Sequence, residues 1–417
     1  MQLTEQHIIT KDDPRFSVLD NACFLSKNLY NATLYELRQH FFATGKSHSY
    51  ETLADRMKSN PDYCALPRKV SQQVLMQVCG NWNNFWASLR EWQKNPHKYT
   101  GKPQLPRYKH KTDGRNRLVY TDQAISKVAL KKKGLIEPSQ LGIQVKTNKT
   151  AIDQVRITPK KTHYVVEIVY TVEMHIASPD ENRVASIDIG LNNLATVTTN
   201  QPGVNPLLVN GRPLKSINQF YNKRMADLRS RLPKRQYYSD QMGRLTDNRN
   251  HRVKDYMHQA SRDIIEFLEQ HKIGTLIIGK NDGWKQEIDL GKRNNQNFVQ
   301  IPHAQFIAML TYKAQLVGIK VILTEESYTS KCSFLDDEPI QKHNKYKGKR
   351  IYRGLFQASD GRIINADVNG ALNIMKKVIP TVTTNGIEAF VVMPVRVTPF
   401  QPKKKKPCHA AEQVACT

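Results

Sequence analysis

The chain has 417 residues, 63 Lys+Arg against 37 Asp+Glu for a formal charge of +26, and 39% hydrophobic residues. That length supports two or three domains with real cores, and so large a positive excess opposes compaction unless a polyanion balances it. No apolar run approaches the roughly 20 residues of a membrane span, the polar start MQLTEQHIITKDDPRF does not read as a signal peptide, and six cysteines without a CxxC pair exclude a disulfide scaffold.

A short strand is expected around Gln6–Thr10. From Asn21 to about Phe42 the pattern is helical, with Leu25, Leu29, Ala32 and Leu37 near one face and Asp20 as a candidate N-cap. A longer amphipathic helix is expected from about Val70 to Trp92, where Val74, Val78, Trp82, Phe85, Trp86 and Leu89 recur at three- or four-residue steps. Such a stripe reads as a helix–helix core before it reads as a base-stacking surface. Residues 93–117, QKNPHKYTGKPQLPRYKHKTDGRNR, interleave cations with Pro, Gly and Tyr. An arm of that kind suits phosphates and stacked bases, with Tyr99, Tyr108 and Lys109 as candidate contacts. From Leu118 to Met174 the period changes to two, in GIQVKT, QVRITPKK and YVVEIVYTVEM, which predicts a small antiparallel barrel or sandwich.

From Ala185 strands alternate with helices: VASIDIGLNNLATVTT, HRVKDYMHQASRDIIEFLEQH, IGTLIIG, HAQFIAMLTYKAQLVG, IKVILTEE and INADVNGALNIMKKV. That order predicts a layered α/β domain. The expected organisation is multidomain α+β: a β-module of residues 1–20 and 112–180, a helical module of 21–111, an α/β domain of 181–390 with an insertion at 327–362, and a disordered basic tail at 391–417.

Three places in the α/β domain offer carboxylates. Asp188 lies between Ile187 and Ile189, so alternation puts it on the face opposite them, and Gly190 lets the chain turn away. Asp367 opens the last helix with Asn365 and Asn369 beside it; capping alone would explain an aspartate there. Glu325 and Glu326 end the strand KVILTEE and point to opposite faces, so at most one joins the others. Val321 and Leu323 share a face with Glu325, an apolar face ending in a carboxylate, and on that ground Glu325 is favoured, with Glu326 as the alternative. Converging carboxylates from separate elements suit hard divalent cations such as Mg²⁺.

SIDIGLNNLATV, QFYNKRMADLRSRL, HRVKDYMHQASRDI, ESYTSKCS and INADVNGALNI, in this order over residues 182–378, resemble the RuvC-type, RNase H-like nuclease domain of TnpB proteins. These are transposon-encoded, RNA-guided DNA nucleases related to the type V CRISPR effectors. The front half is compatible in layout with that family's helical recognition lobe and β-barrel wedge domain. The resemblance implies an Mg²⁺-dependent DNA endonuclease in which Asp188, Glu325 (or Glu326) and Asp367 hold two ions about 3.5–4 Å apart, one activating water and one stabilising the leaving oxygen. The implied partners are a guide RNA and target double-stranded DNA, with no membrane, in a prokaryotic cytoplasm at the nucleoid.

Two departures stand out. The family places its glutamate at the end of the central strand, in a pattern like VVED; here the strand reads LIIGKNDGWKQ, with Gly279 at that position and Asp282 three residues on. The family's four-cysteine ribbon is reduced to Cys332, and one thiolate with His343 cannot close a four-ligand Zn²⁺ site, so no zinc is expected. Lys215, Lys223, Arg224, Arg229 and Arg231, with Lys234 and Arg235 beyond them, form a basic wall suited to an RNA–DNA heteroduplex. Tyr328, Thr329 and Ser330 match the family's YTS motif and could orient the strand to be cut, although a turn-forming role explains Thr329 and Ser330 nearly as well. Lys331 is a further candidate nucleic-acid contact. If no glutamate completes the site, the expectation becomes an RNA-guided DNA-binding repressor. A transposase acting without RNA would use similar carboxylates.

Overall fold

The computed structural model describes residues 1–173, 180–280, 300–382 and 393–399. Two units, Met1–Glu173 and Met174–Thr417, each gather their own core. The first runs β1 (Gln2–Thr10), α1 (Phe16–Thr44), α2 (Tyr50–Met57), α3 (Pro61–Cys64), α4 (Arg68–Lys94), β2 (Leu118–Thr121), α5 (Lys127–Lys133), β3 (Leu135–Ile136), β4 (Val145–Lys146), β5 (Gln154–Pro159) and β6 (His163–Thr171). Its main sheet has the antiparallel order β1-β6-β5-β2, with β1 paired along its whole length from Gln2↔Thr171 to Thr10↔His163. Among the described residues β1 and β2 do not pair, so the sheet is open rather than closed into the expected barrel. The reason is in its core: Tyr120, Val155, Ile157 and Val166 pack with Leu29, Leu34 and Leu37 of α1 and Val74, Val78 and Trp82 of α4. Helices occupy the face that a barrel would close upon itself.

The aromatic stripe of α4 is largely core. Trp82 is buried, donates Nε1–H to Ser47 Oγ at 2.7 Å, and meets Phe41 edge-on at 5.5 Å. The basic stretch after α4 lies back along α1. Asn31 exchanges two 2.9 Å bonds with the backbone of Lys109, and buried Lys27 donates to Lys111 O at 2.6 Å. Lys109 turns its ammonium over the Tyr30 ring, Tyr99 is half-buried, and Tyr108 stays exposed beneath the Arg38 guanidinium.

Asp20 is not an N-cap, because α1 begins a full turn earlier, after Arg15. Its carboxylate instead accepts from Arg115 Nε (2.9 Å), Arg115 Nη2 (2.7 Å) and Tyr164 Oη (2.7 Å), joining helix, arm and sheet. The Arg115 bond holds its pKa below the usual 3.8.

The second unit runs β7 (Asp180–Ile189), β8 (Asn193–Thr199), β9 (Leu207–Asn210), α6 (Arg212–Ser230), α7 (Asp240–Gln270), β10 (Ile273–Gly279), α8 (His303–Leu316), β11 (Lys320–Thr324), β12 (Lys349–Tyr352), β13 (Leu355–Gln357), β14 (Ile363–Asn365), α9 (Ala366–Val378) and β15 (Val395–Val397). The six-stranded sheet has order β11-β10-β7-β8-β9-β15, with β10 parallel to both neighbours and β7-β8-β9 antiparallel. Val395–Val397 falls in the stretch expected to be disordered, yet its alternating valines pair with the open edge of β9. The remainder of that tail, from residue 400, and Asp282 lie outside the described residues. One face of the sheet (Ile187, Ile189, Leu276, Ile278) packs on α7 and α8, and the other (Val184, Ile277, Ile322) packs on α9. Both faces are covered, as parallel strands require. No helix among the described residues is long and apolar enough to cross a membrane.

The Asp20 linkage has a definite sign. A carboxylate whose folded pKa is depressed contributes stability above its unfolded pKa and loses it as pH falls through the folded value. Asp20→Asn should lower the melting temperature at pH 7 by the equivalent of about 1 kcal/mol, modest because the pair is partly solvated. The difference should shrink steadily below about pH 4. Thermal melts of both proteins from pH 7 to 2.5 check this; a difference independent of pH would refute it.

Candidate metal centre

Alternation in β7 is strict at its C-terminal end. Ile187 and Ile189 enter the α7/α8 core, while Ser186 and Asp188 face α9. Ser186 Oγ donates to Ala371 O at 2.6 Å, which ties the strand to that helix. Asp188 is deeply packed yet keeps some accessible surface. The helix crosses above it at Gly370, where a Cβ would come within 2.9 Å of Asp188 Oδ2. Only glycine leaves room for the carboxylate there.

Gly279 ends β10 on the same face, since Ile278 pairs with Ile187 and Gly279 with Thr324. A Cβ on Gly279 would stand 2.7 Å from Glu326 Oε2 and 2.6 Å from Ile374 Cδ1. The Glu326 carboxylate therefore fills the space that a side chain on the central strand would take. Glu325, the residue alternation favoured, turns outward. It is exposed, accepts from Lys377 Nζ at 2.6 Å and from Ser327 N at 2.8 Å, and the Lys377 bond holds its pKa below the usual 4.5. The apolar face that ends in Glu325 is not the one that meets α9. Val321 packs toward α7 and α8, whereas Ile322 shares the α9 face with Thr324 and so with Glu326.

Asp367 sits in the first turn of α9, but the cap is Asn365, whose Oδ1 accepts from Asp367 N (3.0 Å) and Val368 N (3.2 Å). The Asp367 carboxylate is left to other partners: Asn193 Nδ2 donates to it at 2.8 Å and Arg350 Nη2 lies 3.9 Å away. Asn369, the other oxygen-bearing neighbour, is buried and bonds backbone instead, accepting from Phe334 N at 3.0 Å and donating to Cys332 O at 2.9 Å.

The charges of Glu326 and Asp367 both act on Asp188. The Asp188 carboxyl is pushed well above its ordinary 3.8, first by burial and then by the charges of Glu326 and Asp367, with Arg350 opposing. Burial raises Glu326 from 4.5 to about 7, with the Glu325 charge adding and Lys377 opposing. The carboxylates are neighbours rather than a closed cage, for no three His, Cys, Asp or Glu side chains among the described residues are drawn around one ion position. Mutual repulsion keeps such oxygens apart, and a hard divalent cation is the charge that would draw them together. Asn193, Gly370 and Arg350 were not visible in the sequence, because each acquires its place only through contacts with distant residues.

The remaining candidates scatter. Lys215 donates to Asn192 Oδ1 at 2.9 Å, and Arg224 and Arg231 both pair with Asp227. Lys223 and Arg229 are exposed on α6. Tyr328, Ser330 and Lys331 are exposed in the loop after Glu326, and Tyr328 adopts φ +67°, a strained value for a tyrosine. In the insertion, burial pushes the Cys332 thiol up, and its Sγ lies 3.4 Å from Pro339 O and 3.6 Å from Gln341 O. The His343 ring is 2.8 Å from Pro339 O. The loop closes on buried Glu338, whose carboxylate accepts from Ser333 N (2.8 Å) and Lys347 N (2.9 Å).

The chain is similar to several known proteins. Residues 167–285 match the OrfB_IS605 family, described as probable transposase, and residues 303–374 match the Cas12f1-like TNB domain. The chain is 25% identical over 425 residues to the TnpB-like protein ORF457 of Acidianus two-tailed virus, covering 90% of this chain and 87% of that one. It is 25% identical over 240 residues to the CRISPR-associated endodeoxyribonuclease Cas12f2 of a Micrarchaeota archaeon, covering 54% of this chain and 42% of the relative. Its fold resembles that of Cas12f1 in a complex with guide RNA and target DNA, with a TM-score of 0.51 at 15% identity over 86% of this chain and 81% of that one. Through these matches the chain is similar to the TnpB and Cas12f-like proteins.

Proposed function

We propose that this protein is an RNA-guided DNA endonuclease of a mobile element, cutting target DNA beside a short flanking motif at a RuvC-type site built from Asp188, Glu326 and Asp367. The observation that carries the reading is the Glu326 carboxylate over Gly279, within electrostatic reach of Asp188. It weighs against the repressor alternative, whose ground was the missing carboxylate at Gly279. In the same reading, residues 1–20 with 112–180 and residues 21–111 are the wedge and recognition parts, and 181–390 is the nuclease domain.

The residues present suit a pair of Mg²⁺ ions: oxygen donors from three elements, and two glycines that leave room for two of the carboxylates. Such ions, when bound, would activate the attacking water and stabilise the leaving oxygen. The chain's own part is positioning. Asn193 fixes one oxygen of Asp367, and Lys377, paired with exposed Glu325, partly offsets the charge that Glu325 adds beside Glu326. The Arg350 guanidinium, carried in by the insertion, partly offsets the negative charge on Asp188 and Asp367. Exposed Lys223 and Arg229 suit the backbone of a heteroduplex whose sequence is read by base pairing.

The decisive experiment is target-plasmid cleavage by the copurified ribonucleoprotein in Mg²⁺ and in EDTA. Asp188→Ala and Glu326→Gln should each lose roughly a hundredfold or more in rate. Glu325→Gln should stay within about threefold, because it removes only an exposed ion pair. Full cutting by Glu326→Gln would refute the assignment, and guide-dependent binding without cutting by the wild type would establish the repressor.

A second prediction concerns stability in EDTA. Between pH 4.5 and about 7 the folded protein keeps a proton on Glu326 that the unfolded chain has released, so this group's contribution falls as pH rises through that window. Glu326→Gln removes the penalty. Its melting temperature should match wild type near pH 4.5 and exceed it above pH 7, by the equivalent of on the order of 2 kcal/mol. A variant no more stable at pH 8 than at pH 4.5, relative to wild type, would contradict it.

A further inference from the structure

A carboxylate on a loop needs something to hold it. Glu326 lies beyond Thr324, the last residue of β11, where Lys280 N donates to Thr324 O at 2.8 Å. A glutamate at the end of the central strand would be fixed by ladder bonds on both sides; Glu326 has left the ladder. The loop is fixed by two buried amides instead. Asn373 Nδ2 donates to Thr329 O at 2.9 Å and Cys332 O at 2.7 Å. Asn369 Nδ2 donates to Cys332 O at 2.9 Å, and its Oδ1 accepts from Phe334 N at 3.0 Å. Both asparagines have 0% exposure and, four residues apart, project from one face of α9. The grip passes on to Glu326, because Thr329 donates both its Oγ1 (2.8 Å) and its N–H (3.3 Å) to Glu326 O.

From this geometry we propose that Asn373, with Asn369, is a positioning residue for the metal centre: it holds Glu326 at a fixed distance from Asp367, which the same helix carries. The proposal rests on Glu326 being a metal ligand. The Asn369 amide is used up on backbone, so its service to the metal centre is indirect.

The test is thermal stabilisation of the full-length protein by MgCl₂, with plasmid cleavage alongside. Asn373→Ala should raise the Mg²⁺ concentration needed for half-maximal stabilisation about tenfold, the scale of losing a supporting bond behind a metal ligand, while guide-dependent target binding is retained. Thr329→Val, a milder change that removes only the hydroxyl bond to Glu326, should raise it severalfold. Structural damage is separated from positioning by moving the carboxylate back to the ladder, in Gly279→Glu with Glu326→Ala and with Ile374→Val to relieve the 2.6 Å contact. In that background Asn373→Ala should leave the Mg²⁺ midpoint where it was. An equal shift in both backgrounds, or unchanged midpoints for both Asn373→Ala and Thr329→Val in the native one, overturns the proposal. If Glu326→Gln responds to Mg²⁺ like wild type, the failure lies in the ligand assignment beneath it.

Discussion

Carboxylates gathered on one face of a buried sheet repel each other, and the second unit is arranged around that repulsion. Burial makes each charge dearer, and neighbouring charges add to it, those of Glu326 and Asp367 at Asp188 and that of Glu325 at Glu326, so both acids hold their protons above the ordinary carboxylate range. A fold that keeps such a cluster gives up stability at the place where it needs charge. What makes it tolerable is small and local: glycines where side chains would collide, an asparagine on Asp367, a lysine that pairs with Glu325, an arginine brought over from the insertion.

One helix does most of the arranging. The face of α9 that meets the sheet presents Asp367, a gap for Asp188 at Gly370, an apolar contact above Gly279 from Ile374, and two amides for the loop that bears Glu326. Its tie to β7 through Ser186 sets all of these against one reference strand. A site assembled on a single rigid element holds its geometry better than one spread over loops.

How much of this was legible in the sequence depended on the kind of signal. The face of Asp188 is legible because isoleucines on either side of an acid in a strand fix it, and the helix-opening place of Asp367 because it stands in an oxygen-rich motif. The two glutamates could be reduced to a pair by alternation but not ordered. With both faces of the sheet covered, Val321 and Ile322 are equally apolar, and apolarity carries no parity. The open sheet of the first unit was missed for a related reason: period two reports strands, and only the distant apolar faces of α1 and α4 reveal that the sheet has no need to close.

The distances around Gly279 also constrain what can be substituted there. A side chain on the central strand and the Glu326 carboxylate claim the same space, since a Cβ at Gly279 would lie 2.7 Å from Oε2. A chain bearing acids at both positions would crowd two buried carboxylates against Ile374. Moving the acid from one position to the other therefore takes coordinated changes at Gly279, Glu326 and Ile374 rather than one substitution.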